Sequence, residues 1–367
     1  MVPNLRFTNN QLKDFKIVDI CKLKQGNQYD LKQQFTEEKP DLKRFIRIVD
    51  YTQKTNDIRY VYSNGSENYV DCTDVVVVRY GASAGYVGRG INGIIANNLF
   101  TIRPINSALL NKSYLYHYLN APVIQKQLNN TQSSGMPALN FQTINNLHIL
   151  LPEYQEQRQI AVFLDKIDER IQTQIKIIDD YNSLKMGIYN WMFKENYADY
   201  KLKQLAYIVK GDQINNDQLL SNGSYYMMNG GTSPSGYLDS YNVSENTISI
   251  SEGGNSCGYV QFNSSPFWSG GHCYTIQNVN SALIENKYLY HYLKYKEKEI
   301  MNLRIGTGLP NIQKKDLENF TILVPSLLIQ RKNLALFEML DEKISILNEE
   351  LANLQKQKKY LLCNMFI

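Results

Sequence analysis

Asn111-Lys112-Ser113-Tyr114-Leu115-Tyr116-His117-Tyr118-Leu119 returns later in the chain as Glu285-Asn286-Lys287-Tyr288-Leu289-Tyr290-His291-Tyr292-Leu293. Tyr-Leu-Tyr-His-Tyr-Leu thus recurs at an offset of 174, and Asn106-Ser107-Ala108-Leu109 matches Asn280-Ser281-Ala282-Leu283 at the same offset. At an offset of 173 the match continues. Ser83-Ala84-Gly85-Tyr86-Val87 aligns with Ser256-Cys257-Gly258-Tyr259-Val260, Gly135-Met136-Pro137 with Gly308-Leu309-Pro310, and Asp168-Glu169-Arg170-Ile171 with Asp341-Glu342-Lys343-Ile344. This period is far longer than the 20 to 50 residues of a solenoid repeat, so one half of the chain is a diverged copy of the other.

Working outward, each half opens with a mixed segment. Val75-Val76-Val77-Val78 reads as a buried strand ending in the Gly-rich turn Gly81-Ala82-Ser83-Ala84-Gly85. Thr247-Ile248-Ser249-Ile250-Ser251 followed by Glu252-Gly253-Gly254-Asn255-Ser256 is its counterpart. A helix from Ser113 to Asn129, a Gly-Pro turn and a short apolar strand ending at Pro152 follow. Beyond Pro152 the pattern becomes sustained helix. Ile160, Ile167, Gln174, Tyr181 and Ile188 recur every seven residues, with Leu164, Ile171, Ile178, Lys185 and Met192 between them. The second half repeats this as Asn333, Leu340, Leu347, Leu354, Leu361 and Phe337, Ile344, Leu351, Lys358, Met365, with the interrupting lysines at equivalent places.

Matching heptad seams predict that the two helices pack on each other as a coiled coil. Its core is expected to hold Ile160, Leu164, Ile167, Ile171, Ile178, Phe337, Leu340, Ile344, Leu347 and Leu351. A helix over residues 160 to 188 runs about 43 Å at 1.5 Å per residue, so a returning helix makes the pair antiparallel. The fold class is then mixed α/β: two repeated domains separated by two long helices, pseudo-two-fold symmetric, with boundaries at 1–152, 153–196, 197–325 and 326–367. Such a pair, a little over one turn of B-DNA apart, suits two half-sites on a duplex; it also suits a scaffold.

The 367 residues are 43% hydrophobic and 20% charged, enough for two ordinary domains and too apolar for a disordered chain. No apolar run reaches the roughly 18 residues of a membrane span, and Met1-Val2-Pro3-Asn4-Leu5-Arg6 lacks a signal-peptide pattern, so a soluble, cytoplasmic protein is expected. Five cysteines without a C-x-x-C pair indicate neither a disulfide framework nor a zinc site. A net charge of +4 permits a polyanionic partner without demanding one.

The tools of catalysis are missing from the sequence. There is no dinucleotide fingerprint and no phosphate-loop motif; Gly81, Gly85, Gly88 and Gly90 read better as a strand turn. No Asn/Asp-Pro-Pro-aromatic run occurs, and Pro40-Asp41 lacks the acidic-x-Lys partner of a nuclease. His117 and His291 fall on Tyr-rich helices where packing is expected, His148 lies in an apolar strand, and His272 has no further ligands at metal spacing. No metal site is expected.

Pro152-Glu153-Tyr154-Gln155-Glu156-Gln157-Arg158-Gln159-Ile160, leading into Phe163-Leu164-Asp165-Lys166-Ile167-Asp168, resembles the start of the spacer helix in the specificity subunits of type I restriction-modification systems. Val2-Pro3-Asn4-Leu5-Arg6-Phe7, the segments around Gly85-Tyr86-Val87 and Gly258-Tyr259-Val260, and Ser233-Pro234-Ser235-Gly236-Tyr237 are similar to that family too. The resemblance covers nearly the whole chain, and its specific element is the duplicated order of domain, helix, domain, helix. It implies a non-catalytic DNA reader in which each target-recognition domain takes one half of a bipartite site. It also implies helices that dock two methyltransferase subunits, with restriction (motor-nuclease) subunits joining them. S-adenosylmethionine, ATP and Mg would belong to those partners, with no cofactor in this chain. Ile329 at the Glu156 position and Asn333 at the Ile160 position depart from the pattern in the second copy.

Base edges are read by Arg, Lys, Asn, Gln, Asp or Glu on rigid loops, with hydroxyls reaching phosphates. The DNA-contact candidates are therefore Arg79, Tyr80, Ser83 and Arg89 in the first domain, and Asn229, Thr232, Ser233, Asn255 and Ser256 in the second. Ser133, Ser134 and Thr307, in duplicated turns, are candidates for phosphates. Gln157, Arg158, Asp168, Glu169 and Arg170, with Gln330, Arg331, Asp341, Glu342 and Lys343, read as exposed helix positions kept in both halves, and are the candidates for partner docking. A coiled-coil scaffold for two protein-binding domains, an inactive orphan specificity subunit and a stand-alone DNA enzyme are the competing readings.

Overall fold

The computed structural model describes residues 5–7, 11–53, 55–65, 67–129, 137–193, 197–306, 308 and 310–366. Contacts divide the chain into two units, residues 1–175 with 349–367, and residues 176–348. Each unit therefore holds one α/β domain together with half of each long helix.

Four consecutive β-branched residues, Val75–Val78, build a strand buried on both faces. It lies between Leu99–Pro104 and Val87–Gly88, with Cys21–Gln25 on the far side of Leu99–Pro104, all antiparallel. The turn leaving it uses Gly81 and Gly85, both at φ +90°, a conformation that a Cβ would strain. Leu42–Ile46, Arg59–Tyr62, Gly93–Ile95 and Tyr69–Val70 form a second small sheet, and Lys13–Lys16 pairs with His148–Leu151.

The second unit repeats the plan. Tyr207–Lys210, Cys273–Gln277, Thr247–Ser251 and Val260–Asn263 make the equivalent antiparallel sheet. Tyr225–Met228 stands between Gly236–Leu238 and Trp268–Ser269, and Ala198–Lys201 pairs with Thr321–Val324. Serines and a threonine alternate with Ile248 and Ile250 in the central strand, and Asn263 satisfies part of that polar face by donating to Ser249 Oγ at 3.0 Å.

The helix expected from Ser113 to Asn129 is two helices, Lys112–Leu119 and Pro122–Asn129. Asn111 starts the first by accepting from the backbone of Ser113 and Tyr114. Pro122 cannot continue that helix, having no N–H, but fits the first turn of a new one.

The long helices span Tyr154–Met192 and Leu327–Met365. In the first unit Asp168 pairs with Lys358, and Gln174 donates to Glu350 at 3.0 Å, so the segments run antiparallel. In the second unit Lys185 pairs with Asp341. Ile160, Leu164, Ile171, Ile178, Phe337, Leu340 and Leu347 are buried, and Ile167, Ile344 and Leu351 half-buried.

Each helix also ends inside a domain core. Phe366 packs edge-on against Tyr114 and Tyr118 in the first unit. Phe193 does the same against Tyr288 and Tyr292 in the second. In the second unit the chain runs from that phenylalanine into the domain. The first domain is entered elsewhere: Leu5 N–H donates to Asn364 at 3.0 Å, and Arg6 and the Phe7 backbone bind the buried carboxylate of Glu156. Ile329, at the Glu156 position, has no carboxylate to hold such a segment.

Candidate nucleic-acid interface

Arg79 leaves the four-valine strand at its end and reaches across Leu99–Pro104 to the last residue of the edge strand, Gln25. Its Nη1 donates to Gln25 Oε1 at 2.7 Å, and its guanidinium lies 4.3 Å from the ring of Phe141 and 4.8 Å from that of Tyr80. Gln25 in turn donates to the Asn97 carbonyl, and the Asn97 amide donates to Gln28. Rings and hydrogen bonds thus hold a cluster of Arg, Asn and Gln in place without using all of its donors.

Glu252 occupies the corresponding place in the second unit. Its Oε1 accepts from Lys210 Nζ at 2.6 Å and from the Tyr274 hydroxyl at 3.2 Å. Its Oε2 is 3.6 Å from His272 Nδ1. Glu252, Lys210 and His272, with Asn229, Gly230, Gly231, Ser235, Gly253, Gly254, Pro310 and Asn311, line an open cavity of about 600 Å³. Asn229 is oriented by accepting from the His272 N–H at 3.0 Å.

Of the other DNA-contact candidates, Tyr80, Thr232, Ser233 and Asn255 are exposed, while Ser83 and Ser256 are half-buried. The structure does not bring Thr232, Ser233, Asn255 or Ser256 into the lining of the cavity with Asn229. Ser133, Ser134 and Thr307 lie outside the described residues.

Arg89 is corrected by its surroundings. Its guanidinium bonds Ser113 Oγ at 2.6 Å and Asp165 at 2.5 Å, lies 3.6 Å from Asp168, and stacks 3.9 Å from the Tyr116 ring. These contacts tie the first domain to its own long helix and leave little of the fork for a nucleic acid. The second copy places Phe262 there, against Tyr290, and bridges Lys287 to Glu338 instead.

His117 joins the same network through Nε2 to Asp165 at 2.8 Å, and His291 bonds the Tyr189 hydroxyl at 2.8 Å. Burial lowers the proton affinity of both, that of His291 to about 3 with help from the charges of Lys185 and Lys287. His148 lies in the apolar strand His148–Leu151 as expected, on its exposed face, and pairs with Asp14. Among the described residues no group of three or more His, Cys, Asp or Glu is placed to hold a metal ion.

Four docking candidates also change role. Gln157 is 1% exposed: it accepts from Asn111 N–H and donates to the carbonyls of Leu109 and Pro152. Gln330 is fully buried and makes the same three bonds with Glu285, Leu283 and Pro325. These glutamines lock the helix starts to the domains, a duty that explains their recurrence. Asp168 and Asp341 face the seam lysines. Arg158, Glu169, Arg170, Arg331, Glu342 and Lys343 remain exposed, with Glu169 paired to Lys166 and Arg331 to Glu285.

Gln25, Gln28, Asn97, Lys210, Glu252 and Asn311 were not singled out by sequence reasoning, and His272 was weighed only as a metal ligand. The signal for Glu252 was present, since the repeat offset puts it on Arg79; strand pairing supplies the rest.

Two copies of one α/β fold, furnished with different polar groups on the same backbone frame, define a duplicated recognition protein. A family model described as "Type I restriction modification DNA specificity domain" matches residues 9–179 and 194–356, and the chain belongs to that family. It is 34% identical over 155 residues to a putative type I specificity subunit, S.MpnORF638P, of Mycoplasma pneumoniae; the match spans 42% of this chain and 41% of that relative, less than half its length. It is 25% identical over 386 residues to the putative type I restriction enzyme MjaX specificity subunit of Methanocaldococcus jannaschii, covering 96% and 83% of the two chains. The crystal structure of a type I restriction-modification S subunit from M. genitalium has the same fold, with TM-score 0.68 at 20% identity over 100% of this chain and 99% of that one.

Proposed function

We propose that this chain is the specificity subunit of a type I restriction-modification complex. It reads a bipartite, asymmetric DNA sequence, one half with each unit, and performs no chemistry itself. The observation that carries the reading is the repeat of one strand–turn frame with Arg79 and Gln25 in one copy and Glu252 and Lys210 in the other. A symmetric surface would read a palindrome; differently furnished copies read unlike halves. Much of the affinity comes from phosphates and falls with salt.

Two methyltransferase subunits dock on the long helices, restriction subunits join them, and S-adenosylmethionine, ATP and Mg stay with those partners in the cytoplasm. Docking is supported by the exposed charges of Arg158, Arg170, Glu342 and Lys343 beside exposed apolar side chains. In the first unit Phe163 and Tyr360 line an open cavity of about 720 Å³ with Arg170 and Lys356. Aromatic and Arg groups of this kind anchor protein interfaces.

The test is a map of N6-methyladenine in DNA from cells carrying this chain and its methyltransferase, against cells lacking only this chain. A two-part motif with a fixed gap that vanishes with the chain is expected. An unchanged map, with a methyltransferase active through another specificity subunit, overturns the reading.

A further inference from the structure

Arg79 and Glu252 are held by the same backbone bonds. Arg79 N–H donates to Asn98 and its carbonyl accepts from Leu139; Glu252 N–H donates to His272 and its carbonyl accepts from Ile312, all at 2.8 to 2.9 Å. Each precedes its Gly-rich turn, and each leans on the last residue of the sheet's edge strand one strand away, Gln25 or Lys210. The frame is one frame, yet the hydrogen-bonding sense is opposite. A guanidinium offers donors only; a carboxylate offers acceptors only.

Both are fixed with an edge left over. Among the described residues Arg79 makes one side-chain hydrogen bond, through Nη1, and its plane is set by Phe141 and Tyr80. Glu252 spends Oε1 on Lys210 and Tyr274, while no hydrogen bond from the described residues reaches Oε2, on the side of His272 and the cavity. A side chain already confined to one rotamer loses little entropy on binding, which favours selective contact. Lys210 also offsets the repulsion between the Glu252 carboxylate and a polyanion.

Gln157 and Gln330 keep one fastening chemistry in both copies, and where a fastening is lost, as from Arg89 to Phe262, the local contacts change with it; at Arg79 and Glu252 the backbone frame stays and only the hydrogen-bonding sense reverses. Reversal of sense at a shared position is what two unlike half-sites require. A carboxylate is repelled by phosphate, so the partner of Glu252 on DNA is a base edge. In the major groove guanine presents the acceptors O6 and N7, matched by Arg, whereas cytosine N4 and adenine N6 present amino donors, matched by a carboxylate.

Resting on the DNA-reading function above, we propose that Arg79 and Glu252 are the equivalent base-selecting residues of the two units. Arg79 specifies a guanine in one half-site. Glu252 specifies a base bearing a major-groove amino group, cytosine or adenine, in the other.

The experiment selects DNA from a duplex library with about 20 randomised base pairs on the full chain, together with its methyltransferase, and sequences the bound fraction. The wild type is expected to select a two-part motif. Arg79→Gln should move one guanine column of one half toward adenine, and Glu252→Gln should change one column of the other half only. Affinity for the wild-type site should fall about 5- to 150-fold, the span of one good base contact. Arg79→Lys, which keeps the charge without the fork, should relax the guanine column, and melting curves verify that each variant is folded. Variants that bind more weakly but select the wild-type motif, or that do not differ from wild type, overturn the assignment while leaving the DNA-reading function intact. A wild-type chain that selects no motif overturns both.

Discussion

Lys358, which interrupts the apolar seam of the second long helix, is met across the helix pair by Asp168, and the same aspartate lies 3.6 Å from Arg89 of the domain. The other interrupting lysine, Lys185, is met by Asp341. A polar pair at a matched seam position fixes register, because sliding either helix would bury the lysine without a partner. In this protein register matters twice over, since the seam positions the helix ends that complete each domain core.

Asp168→Asn is therefore expected to cost the first unit about 1 to 3 kcal/mol, leaving Lys358 half-buried without its counter-charge. Calorimetry should show a fall in melting temperature of about 2 to 4 °C per kcal/mol. Lys358→Leu should cost less, because Asp168 keeps Arg89. Equal melting of Asp168→Asn and wild type would refute the register role.

Gln157→Leu strands one N–H and two carbonyls at the start of the helix, and Gln330→Leu strands their counterparts. Each should destabilise by about 2 to 4 kcal/mol. At low temperature the DNA motif should be unaltered; a changed motif or lost methyltransferase binding in a folded variant would restore the docking role.

Arg89→Ala should loosen the first domain from its helix and lower its melting temperature, without changing any column of the selected motif. A column that loses its preference would show that Arg89 reads DNA after all.

Buried His291 remains neutral, with a proton affinity lowered to about 3 against 6.5 for the unfolded chain. The unfolded state binds more protons between these values, so the full stability exists above pH 6.5 and is lost as pH falls toward 3. At pH 5 the loss is about 2 kcal/mol. Melting between pH 7.5 and 5 should show this decline in wild type and a shallower one in His291→Gln; parallel curves would contradict it.

Reversing both Arg170→Glu and Lys343→Glu should weaken co-purification of the methyltransferase while leaving the fold intact. Undiminished co-purification would move the docking surface elsewhere, with the apolar patch of Phe163 and Tyr360 as the next place to substitute.

The repeat, the strand–turn order and the seam were legible because they rest on local periodicity and on comparison of the chain with itself. Val75–Val78 is a buried strand by composition alone, and Ile160 to Ile178 an apolar stripe by spacing alone. Three kinds of assignment went astray. The Ser113–Asn129 region reads as one helix by apolar pattern, but Pro122 divides it. Gln157 and Gln330 read as exposed because Gln is usually solvated, yet their amides close the domains onto the helices. Arg89 reads as a DNA contact because it follows a Gly-rich turn, and Asp165 claims it first.

What the sequence by itself determined is duplication, element order and the apolar seam, since each follows from repeated side-chain patterns along one chain. What only the tertiary structure decided is which polar groups are already spent. Hydrogen bonds between residues such as Gln25 and Arg79, or Lys210 and Glu252, depend on strands of one sheet that are far apart in sequence. Burial and pairing then determine whether the same residue type is a fastener or a reader.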